Sequence, residues 1–339
     1  MAVTLKEISR ELNLSVTTVT RALYGYDDVA EGTRQRVWSL AETLGYVPDT
    51  TAQRLRKGRT DTLGFVIPTF GPRFSDPFFS EFLAALGNEA ARLGFDLLVS
   101  TRAPGAEEQA AYRRLVEGRR VDGLILVRTR RHDERVQYLI ERDFPFVAFG
   151  RTDLEVDYSY VDSDGEAGFR QLVEYLVGLG HQRIACLSAD PELTFVAHRL
   201  TGYRAALAAH GIRPDPNLLI QADLTQRGGY EAAGRLLDRA EPPTALVCLN
   251  DLMALGAMRA AQQRGLAVGH DISVTGFDDI PLAENAHPPL TTLEQPVYDI
   301  GKRLCAMLVR LIRGESLDDA HVLLAPNLII RESTGPVPM

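Results

Sequence analysis

Apolar side chains in the first 46 residues recur at the spacing of short amphipathic helices. Leu5, Ile8 and Leu12 lie three and four residues apart and predict a first helix. Thr4 and Glu7 stand at its start with the spacing of a capping box. Two further helices are predicted by the inward positions Val19, Ala22, Leu23, Val37, Leu40, Ala41 and Leu44. Only a few residues separate the first two helices, which is the spacing of a helix-turn-helix.

From residue 62 onward the pattern changes to short apolar runs that alternate with helical patterns. The predicted strands are 62–68, 95–100, 121–127, 144–150, 183–188, 244–249 and 272–277. The predicted helices are 77–93, 106–117, 133–141, 164–179, 197–210, 226–239 and 251–264. This alternation predicts parallel sheets with helices on both faces. Two such series favour two similar lobes, with a ligand in the crevice at the carboxyl ends of their strands.

The size and composition of the chain favour a reduced cytoplasmic protein with two or three domains. It has 339 residues, 45% of them hydrophobic and 24% charged, and its longest apolar stretches have the length of strands. The N-terminus lacks the apolar segment of an export signal, so we expect neither secretion nor a membrane partner. Cys186, Cys248 and Cys305 form no C-x-x-C pair, which argues against a zinc site or a disulfide framework. We therefore expect no metal and no cofactor.

The charge of the chain is unevenly distributed. The net charge is −8, and residues 1 to 60 carry nine Lys and Arg against seven Asp and Glu. The rest of the chain carries 28 basic and 38 acidic residues, so a mildly basic head precedes an acidic body. This distribution suits a local anionic partner of the head better than a diffuse one.

The second predicted helix offers Val16, Thr17, Thr20 and Arg21 on its exposed face. Short methyl- and hydroxyl-bearing side chains can approach base edges, and Arg can bind guanine with two hydrogen bonds. A helical docking module with a solvated polar face has the same pattern. Spacing alone does not decide between DNA binding and docking.

Several long segments occur together in a recognisable order. They include VTLKEISRELNLSVTTVTRAL, LGYVPDTTAQRL, DPFFSEFLAAL, VDGLILV, HRLTGYRAAL, PTALVCLND, GFDDIPLAE and IIREST. With these segments the chain resembles the LacI/GalR family of bacterial transcription regulators over nearly its whole length. The resemblance implies an all-α helix-turn-helix headpiece at 1–48 and a hinge helix at 49–60. An α/β two-lobed core like the periplasmic sugar-binding proteins, with parallel sheets, would follow at 61–339 and bind effector and a second copy.

The resemblance implies a set of DNA-binding residues. Val16 and Thr17 correspond to positions that contact bases in the major groove, and Arg21 to a further DNA-contacting position. The other headpiece positions implied to lie near DNA are Thr4, Ser15, Thr18, Thr20 and Thr33. Tyr24 departs from the asparagine that the family usually has there.

The segment DTTAQRLRKGRT, residues 49–60, has two interpretations. On composition alone it is a basic linker. The resemblance instead makes it a hinge helix in which Leu55 inserts into the minor groove and Ala52 permits close approach to the bases. Arg54 lies beside them and would contact phosphates. A helix this short is marginal in water, so it would fold on binding DNA.

The resemblance also implies an effector site in the core. Asp278 would accept hydrogen bonds from two sugar hydroxyls, Arg199 would donate to vicinal hydroxyls, and Asn250 would do both. The full set is Phe78, Phe79, Arg151, Arg199, Leu224, Asn250, Asp278 and Val297. Structural alternatives exist: core packing for the phenylalanines, a helix cap for Asp278 and a surface ion pair for Arg199. Leu224 and Val297 replace aromatic residues of some relatives, and the missing bulk favours a roomier pocket for a disaccharide or larger ligand. The segment TFGPRFSDPFFSEF resembles the α-glucoside-type regulators, which makes an α-glucoside a candidate.

These observations together predict a homodimeric, sugar-responsive repressor of carbohydrate genes that binds a pseudo-palindromic operator. One alternative is a regulator that a non-sugar metabolite activates as a co-repressor. A transport-type sugar-binding protein has no use for residues 1–60. An enzyme is disfavoured because the chain lacks G-x-S-x-G, H-E-x-x-H and P-loop motifs.

Overall fold

The computed structural model describes residues 3–46, 58–69 and 76–337 of the chain. These residues belong to two compact units, Met1–Asp61 and Thr62–Met339. The predicted hinge residues Ala52, Arg54 and Leu55 lie outside the described residues. None of the helices in the described part combines the length and the apolar run needed to cross a membrane.

The first unit contains three helices, α1 (Leu5–Leu12), α2 (Val16–Leu23) and α3 (Glu31–Thr43). Their shared core consists of Ile8, Val19, Ala22, Leu23, Val29, Val37 and Ala41. The inward positions predicted from periodicity are therefore confirmed with one exception. Leu44 is 36% exposed because α3 ends at Thr43 and Leu44 forms its C-terminal cap. The predicted capping box is present at Thr4 and Glu7.

The second unit begins with a lobe built on a six-stranded parallel sheet. The strands are β1 (Thr62–Pro68), β2 (Asp96–Arg102), β3 (Gly123–Leu126), β4 (Phe146–Phe149), β5 (Tyr160–Ser163) and β11 (His321–Leu324). Their order is β11-β5-β4-β3-β1-β2. The helices of this lobe are α4 (Pro77–Leu93), α5 (Ala106–Glu117), α6 (Glu134–Ile140) and α12 (Val297–Ile312). We call this the first lobe.

The two faces of this sheet are covered by different helices. Leu63, Phe65 and Ile67 of β1 pack in one cluster with α4 and α12, whereas Val66 packs in another with α5 and α6. Both faces are buried, as expected for a parallel sheet with crossover helices. Gly301 lets α12 lie close to α4, since a Cβ there would lie 2.8 Å from the Cβ of Ala85.

The second lobe has a four-stranded parallel sheet in the order β7-β6-β8-β9. The strands are β6 (Ile184–Ser188), β7 (Leu219–Gln221), β8 (Ala245–Cys248) and β9 (Ser273–Thr275). The helices are α7 (Gly165–Gly178), α8 (Thr194–Ala209), α9 (Gln226–Leu237), α10 (Asp251–Gln262) and the short α11 (Pro281–Glu284). One continuous core joins α7, α8, α9 and α10 to this sheet. A small antiparallel pair, β10 (Thr292–Glu294) and β12 (Asn327–Ile329), completes the unit.

The chain passes between the lobes more than once. β5 and β11 lie in the first sheet, but the segment from α7 to β9 builds the second lobe. The predicted two-lobed α/β core with parallel sheets is therefore confirmed. The elements that periodicity did not predict are β5, β7, β10, α11, α12, β11 and β12.

Candidate functional site

A cleft with about 720 Å³ of space between its walls, open solvent included, lies between the two lobes of the second unit. Its lining residues come mainly from the carboxyl ends of strands and the first turns of helices, where ligands bind in open α/β sheets. They are Asp76, Phe78, Phe79, Val127, Arg128, Thr129, Phe149, Gly150, Asp162, Ser163, Gly165, Phe195, His198, Arg199, Leu224, Asn250, Asp278 and Gln295. A cavity therefore lies at the place where the ligand site is predicted.

The first lobe supplies a group of aromatic rings to the cleft. The ring of Phe78 stacks on that of Phe149 with centroids 5.9 Å apart, and it meets Phe79 edge-on at 5.2 Å. Phe78 and Phe79 also belong to the core cluster of this lobe, so core packing and cleft lining both apply to them. The guanidinium of Arg128 lies 5.1 Å from the ring centre of Phe79 and pairs with Asp76 at 3.4 Å.

Asp278 directs a buried carboxyl group into the cleft. Its backbone φ is +114°, a conformation that residues other than glycine rarely adopt, and the Nε2 of Gln295 donates to its Oδ1 at 2.6 Å. Burial raises the pKa of Asp278 to about 7, and the negative charge of Asp76 adds to that effect. Arg199, Gln295 and Arg128 act in the opposite direction. Asp278 does not cap a helix, since Ile280 occupies the N-cap of α11.

Arg199 extends from α8 into the same region and is only 6% exposed. Its guanidinium lies 3.5 Å from the ring centre of Phe277 and 4.9 Å from that of Phe195. It donates to the carbonyl oxygen of Leu249, and its Nε has no hydrogen-bond partner among the described residues. Burial lowers the pKa of Arg199 to about 10, which leaves it charged at neutral pH. The alternative of a surface ion pair is wrong, because the group is buried between rings.

Asn250 lines the cleft, but both of its polar groups already have protein partners. Its Oδ1 accepts from the amide of Met253 at 3.0 Å and so caps α10. Its Nδ2 donates to the carbonyl oxygen of Leu224 at 3.2 Å. Asn250 therefore fixes the chain around Leu224, which also lines the cleft.

The predicted DNA-binding residues Val16, Thr17, Thr20 and Arg21 lie on α2 in the first unit. Val16 is 39% exposed and Thr17 is exposed, whereas Thr20 and Arg21 are half-buried, unlike the exposed face that periodicity predicted. The hydroxyl of Thr20 donates to the carbonyl oxygen of Val16 at 2.8 Å. Arg21 pairs with Asp28 at 2.7 Å.

Among the other headpiece hydroxyls, those of Ser15 and Thr4 cap helices. Ser15 caps α2 because its Oγ accepts from the amide of Thr18 at 3.0 Å, and the two hydroxyls lie 2.8 Å apart. Thr4 caps α1, and Thr33 is half-buried in the first turn of α3. The cap at Ser15 holds the N-terminus of α2, and the cap at Thr4 holds that of α1.

Comparison with known proteins identifies both units. Residues 4–49 match the description "Bacterial regulatory proteins, lacI family", and residues 173–334 match "Periplasmic binding protein-like domain". The HTH-type transcriptional regulator AglR of Rhizobium meliloti (strain 1021) is 38% identical over 342 residues, covering 100% of this chain and 96% of AglR. This chain belongs to the LacI family. It is a DNA-binding transcriptional regulator of that family and not an enzyme.

Two solved structures of LacI-family regulators share the fold. The transcriptional regulator CelR in complex with cellobiose has a TM-score of 0.75 at 33% identity, with 98% of this chain and 99% of that chain covered. The lac repressor dimer bound to operator and the anti-inducer ONPF has a TM-score of 0.86 at 29% identity, with 99% and 100% covered.

Two of the eight predicted effector residues do not line the cleft of this LacI-family regulator. Val297 is 3% exposed and packs in the core of the first lobe as the first residue of α12, so its small size cannot widen the cleft. Arg151 lies behind the lining, where it contacts Asp162 and His198. The other six lie together in the cleft.

Sequence reasoning missed several lining residues that carry charge or hydrogen-bonding groups. They are Asp76, Arg128, Asp162, Ser163, His198 and Gln295. Arg128 directly follows the predicted strand 121–127, so the rule that ligands bind at carboxyl ends could have identified it. Asp162 and Ser163 are the last two residues of β5, a strand of four residues that periodicity did not predict. Within the described residues, no group of three or more His, Cys, Asp or Glu is placed to hold a metal ion.

Proposed function

We propose that this chain is a homodimeric repressor of carbohydrate-utilisation genes, and that a sugar of disaccharide size releases it from its operator. The observation that carries the proposal is the lining of the cleft, where stacked phenylalanine rings accompany buried hydrogen-bonding groups. A sugar ring has apolar faces that pack on aromatic rings, and vicinal hydroxyls that pair with carboxylate, amide and guanidinium groups. In the cleft, Asp278 supplies the carboxylate, Gln295 the amide and Arg199 the guanidinium group.

Three buried polar atoms of the cleft strengthen this assignment. Ser163 Oγ, Arg199 Nε and Gln295 Oε1 are buried and have no hydrogen-bond partner among the residues that the structure describes. Buried polar groups in native proteins nearly always have partners, and each one left without a partner costs about 1–3 kcal/mol. They belong to residues that line the cleft, where a polyhydroxylated ligand brings donors and acceptors.

The relatives support the same assignment. The structure of CelR holds cellobiose, a disaccharide, and the lac repressor structure is a dimer on operator DNA. A dimer with a two-fold axis presents two copies of α2 to two half-sites, with Val16 and Thr17 toward the major groove. Such a regulator acts on the chromosome and therefore in the cytoplasm.

Release from the operator follows from binding linkage. The cleft draws Phe78 and Phe149 from the first lobe and Arg199 and Asn250 from the second. A ligand that contacts both sets favours one arrangement of the lobes over others. It can weaken operator binding only by the ratio of its affinities for the DNA-competent and the released states.

A paired assay tests the proposal. Purified protein is screened by thermal shift against cellobiose, maltose, sucrose, lactose and glucose, and operator sequences are selected from random DNA. We expect one disaccharide to raise the melting temperature by mass action and to weaken operator binding in gel shifts. The Asp278→Ala variant should lose the response to sugar and retain operator binding. A sugar that strengthens operator binding would indicate a co-repressor, and full sugar affinity in Asp278→Ala would refute the assigned site.

A further inference from the structure

Three side chains at one wall of the cleft form a chain of contacts that links a buried acid to a lining histidine. Arg151 donates from Nε to Oδ2 of Asp162 at 2.8 Å, and its Nη2 lies 3.2 Å from Nδ1 of His198. Asp162 is 5% exposed and also accepts from the amide of Ser163 at 2.9 Å. Arg151 comes from the loop after β4, Asp162 from the end of β5 and His198 from α8. The contacts therefore join the two lobes.

The chemistry of arginine determines the protonation of His198. A guanidinium group stays protonated in proteins and has only hydrogen-bond donors. The ring nitrogen that faces Nη2 must therefore be an acceptor, so Nδ1 carries no proton. A neutral imidazole with a bare Nδ1 carries its proton on Nε2. Among the described residues none accepts a hydrogen bond from Nε2, although His198 lines the cleft and its side chain is only 24% exposed.

We infer that His198 is a hydrogen-bond donor to the bound sugar through Nε2, and that Arg151 is the positioning residue that holds it in this tautomer. The inference rests on the proposed sugar ligand for the identity of the acceptor. A hydroxyl or a ring oxygen of a sugar accepts from an N–H group, whereas an ammonium group does not. His198 thus selects a ligand that places an oxygen atom at this wall of the cleft.

The charged surroundings of His198 agree with a neutral ring. Burial lowers the pKa of His198, and the positive charge of Arg151 lowers it further. The acids Asp162, Asp153 and Glu166 act in the opposite direction without reversing the shift. Asp162 lies 4.0 Å from Nδ1, but its Oδ2 already accepts from Arg151. The ring is therefore neutral at pH 7, because its pKa lies below the ordinary value of a histidine.

The tautomer can be measured without any ligand. In protein labelled with ¹⁵N at histidine, long-range ¹H–¹⁵N correlation spectra distinguish protonated from bare ring nitrogens, and the His198→Gln variant assigns the signals. At pH 7.5 we expect a bare Nδ1 and a protonated Nε2 in the wild type. Arg151→Lys keeps a cation for Asp162 but lacks a second nitrogen to reach His198, so both tautomers should become populated. A proton on Nδ1 in the wild type, or an unchanged spectrum in Arg151→Lys, would overturn the positioning role.

The ligand contact is tested with the same five sugars by titration calorimetry. For a sugar that binds the wild type, His198→Leu should bind it about tenfold more weakly, which is the loss of affinity expected for one missing hydrogen bond. His198→Gln should keep most of the affinity, because its amide can accept from Arg151 and donate to the sugar. Equal affinity in wild type and His198→Leu would refute the contact. If none of the sugars binds, the proposed effector class fails, and the tautomer spectrum still decides the inference about Arg151.

Discussion

Replacing Asp278 by Asn should make the protein more stable at alkaline pH. Burial raises the pKa of this carboxyl from its ordinary 3.8 to about 7. One pKa unit corresponds to about 1.36 kcal/mol, so the ionised group destabilises the native state by about 4 kcal/mol at pH 8. The pKa of Asp278 is about 7 in the folded state and 3.8 in the unfolded state. The native state therefore has its full stability below about pH 4, where the group is protonated in both states. The contribution of the protonated group is lost as the pH rises to 7. Asn mimics the protonated form and can still accept from Gln295.

The assay is urea unfolding of wild type and Asp278→Asn at pH 5 and pH 8. The variant should exceed the wild type in free energy of unfolding by more at pH 8, where the wild-type carboxyl is ionised, than at pH 5. Asp279→Asn is the matched control, since Asp279 accepts two hydrogen bonds from Arg331 at 2.7 and 3.2 Å. That variant should lose about 1–3 kcal/mol of stability. If Asp278→Asn gains nothing at pH 8, the pKa of Asp278 is not raised in the folded protein.

Three further variants test packing, ion pairing and DNA contact. Gly202→Ala should cost about 1–3 kcal/mol in urea unfolding, because a Cβ there would overlap the Glu166 carbonyl oxygen, whereas Gly178→Ala meets no atom within 4 Å and should not destabilise. Arg135→Met should cost about 3–5 kcal/mol in the same measurement, since it removes the cation that pairs with buried Asp133 at 2.6 Å. Glu108, which Arg135 contacts at 2.7 Å, keeps its ion pair with Arg130. Leu55→Ala should weaken operator binding in gel shifts far more than it changes sugar affinity in calorimetry, and equal operator affinity would refute the minor-groove role of Leu55.

Periodicity predicted the elements whose burial follows a simple repeat. The helix predicted at 77–93 matches the observed Pro77–Leu93, and the strand at 62–68 matches Thr62–Pro68, because both have long apolar patterns with clear ends. The short strands β5 and β11 have four residues each, too few for a repeat to stand out. α12 was missed although it is amphipathic and packs against α4, because no strand of the predicted series precedes it.

The position of the site could be predicted from the sequence, but its pairings could not. Lining residues such as Arg128 and Asp278 follow strands, so the topology of parallel sheets indicates where they lie. Which groups face a ligand depends on contacts between distant segments. Asn250 is engaged with Leu224, and Arg151 with His198, 47 residues away. Residue type and local spacing carry no information on such partners, so Arg151 was assigned to the ligand although it lies behind the lining.

The strain and the charge at Asp278 have a common explanation in ligand binding. A residue other than glycine at φ +114° costs about 1–3 kcal/mol, and such strain persists where the surrounding structure enforces it. Here the enforcing contacts are the Asp278 amide bonded to the Leu293 carbonyl oxygen at 2.8 Å and Gln295 bonded to the side chain. They hold a destabilised carboxyl where a sugar would donate to it. Those hydrogen bonds favour the ionised form, so sugar binding and proton release should be coupled. Calorimetry in two buffers of different ionisation enthalpy would measure this release, which Asp278→Asn should abolish.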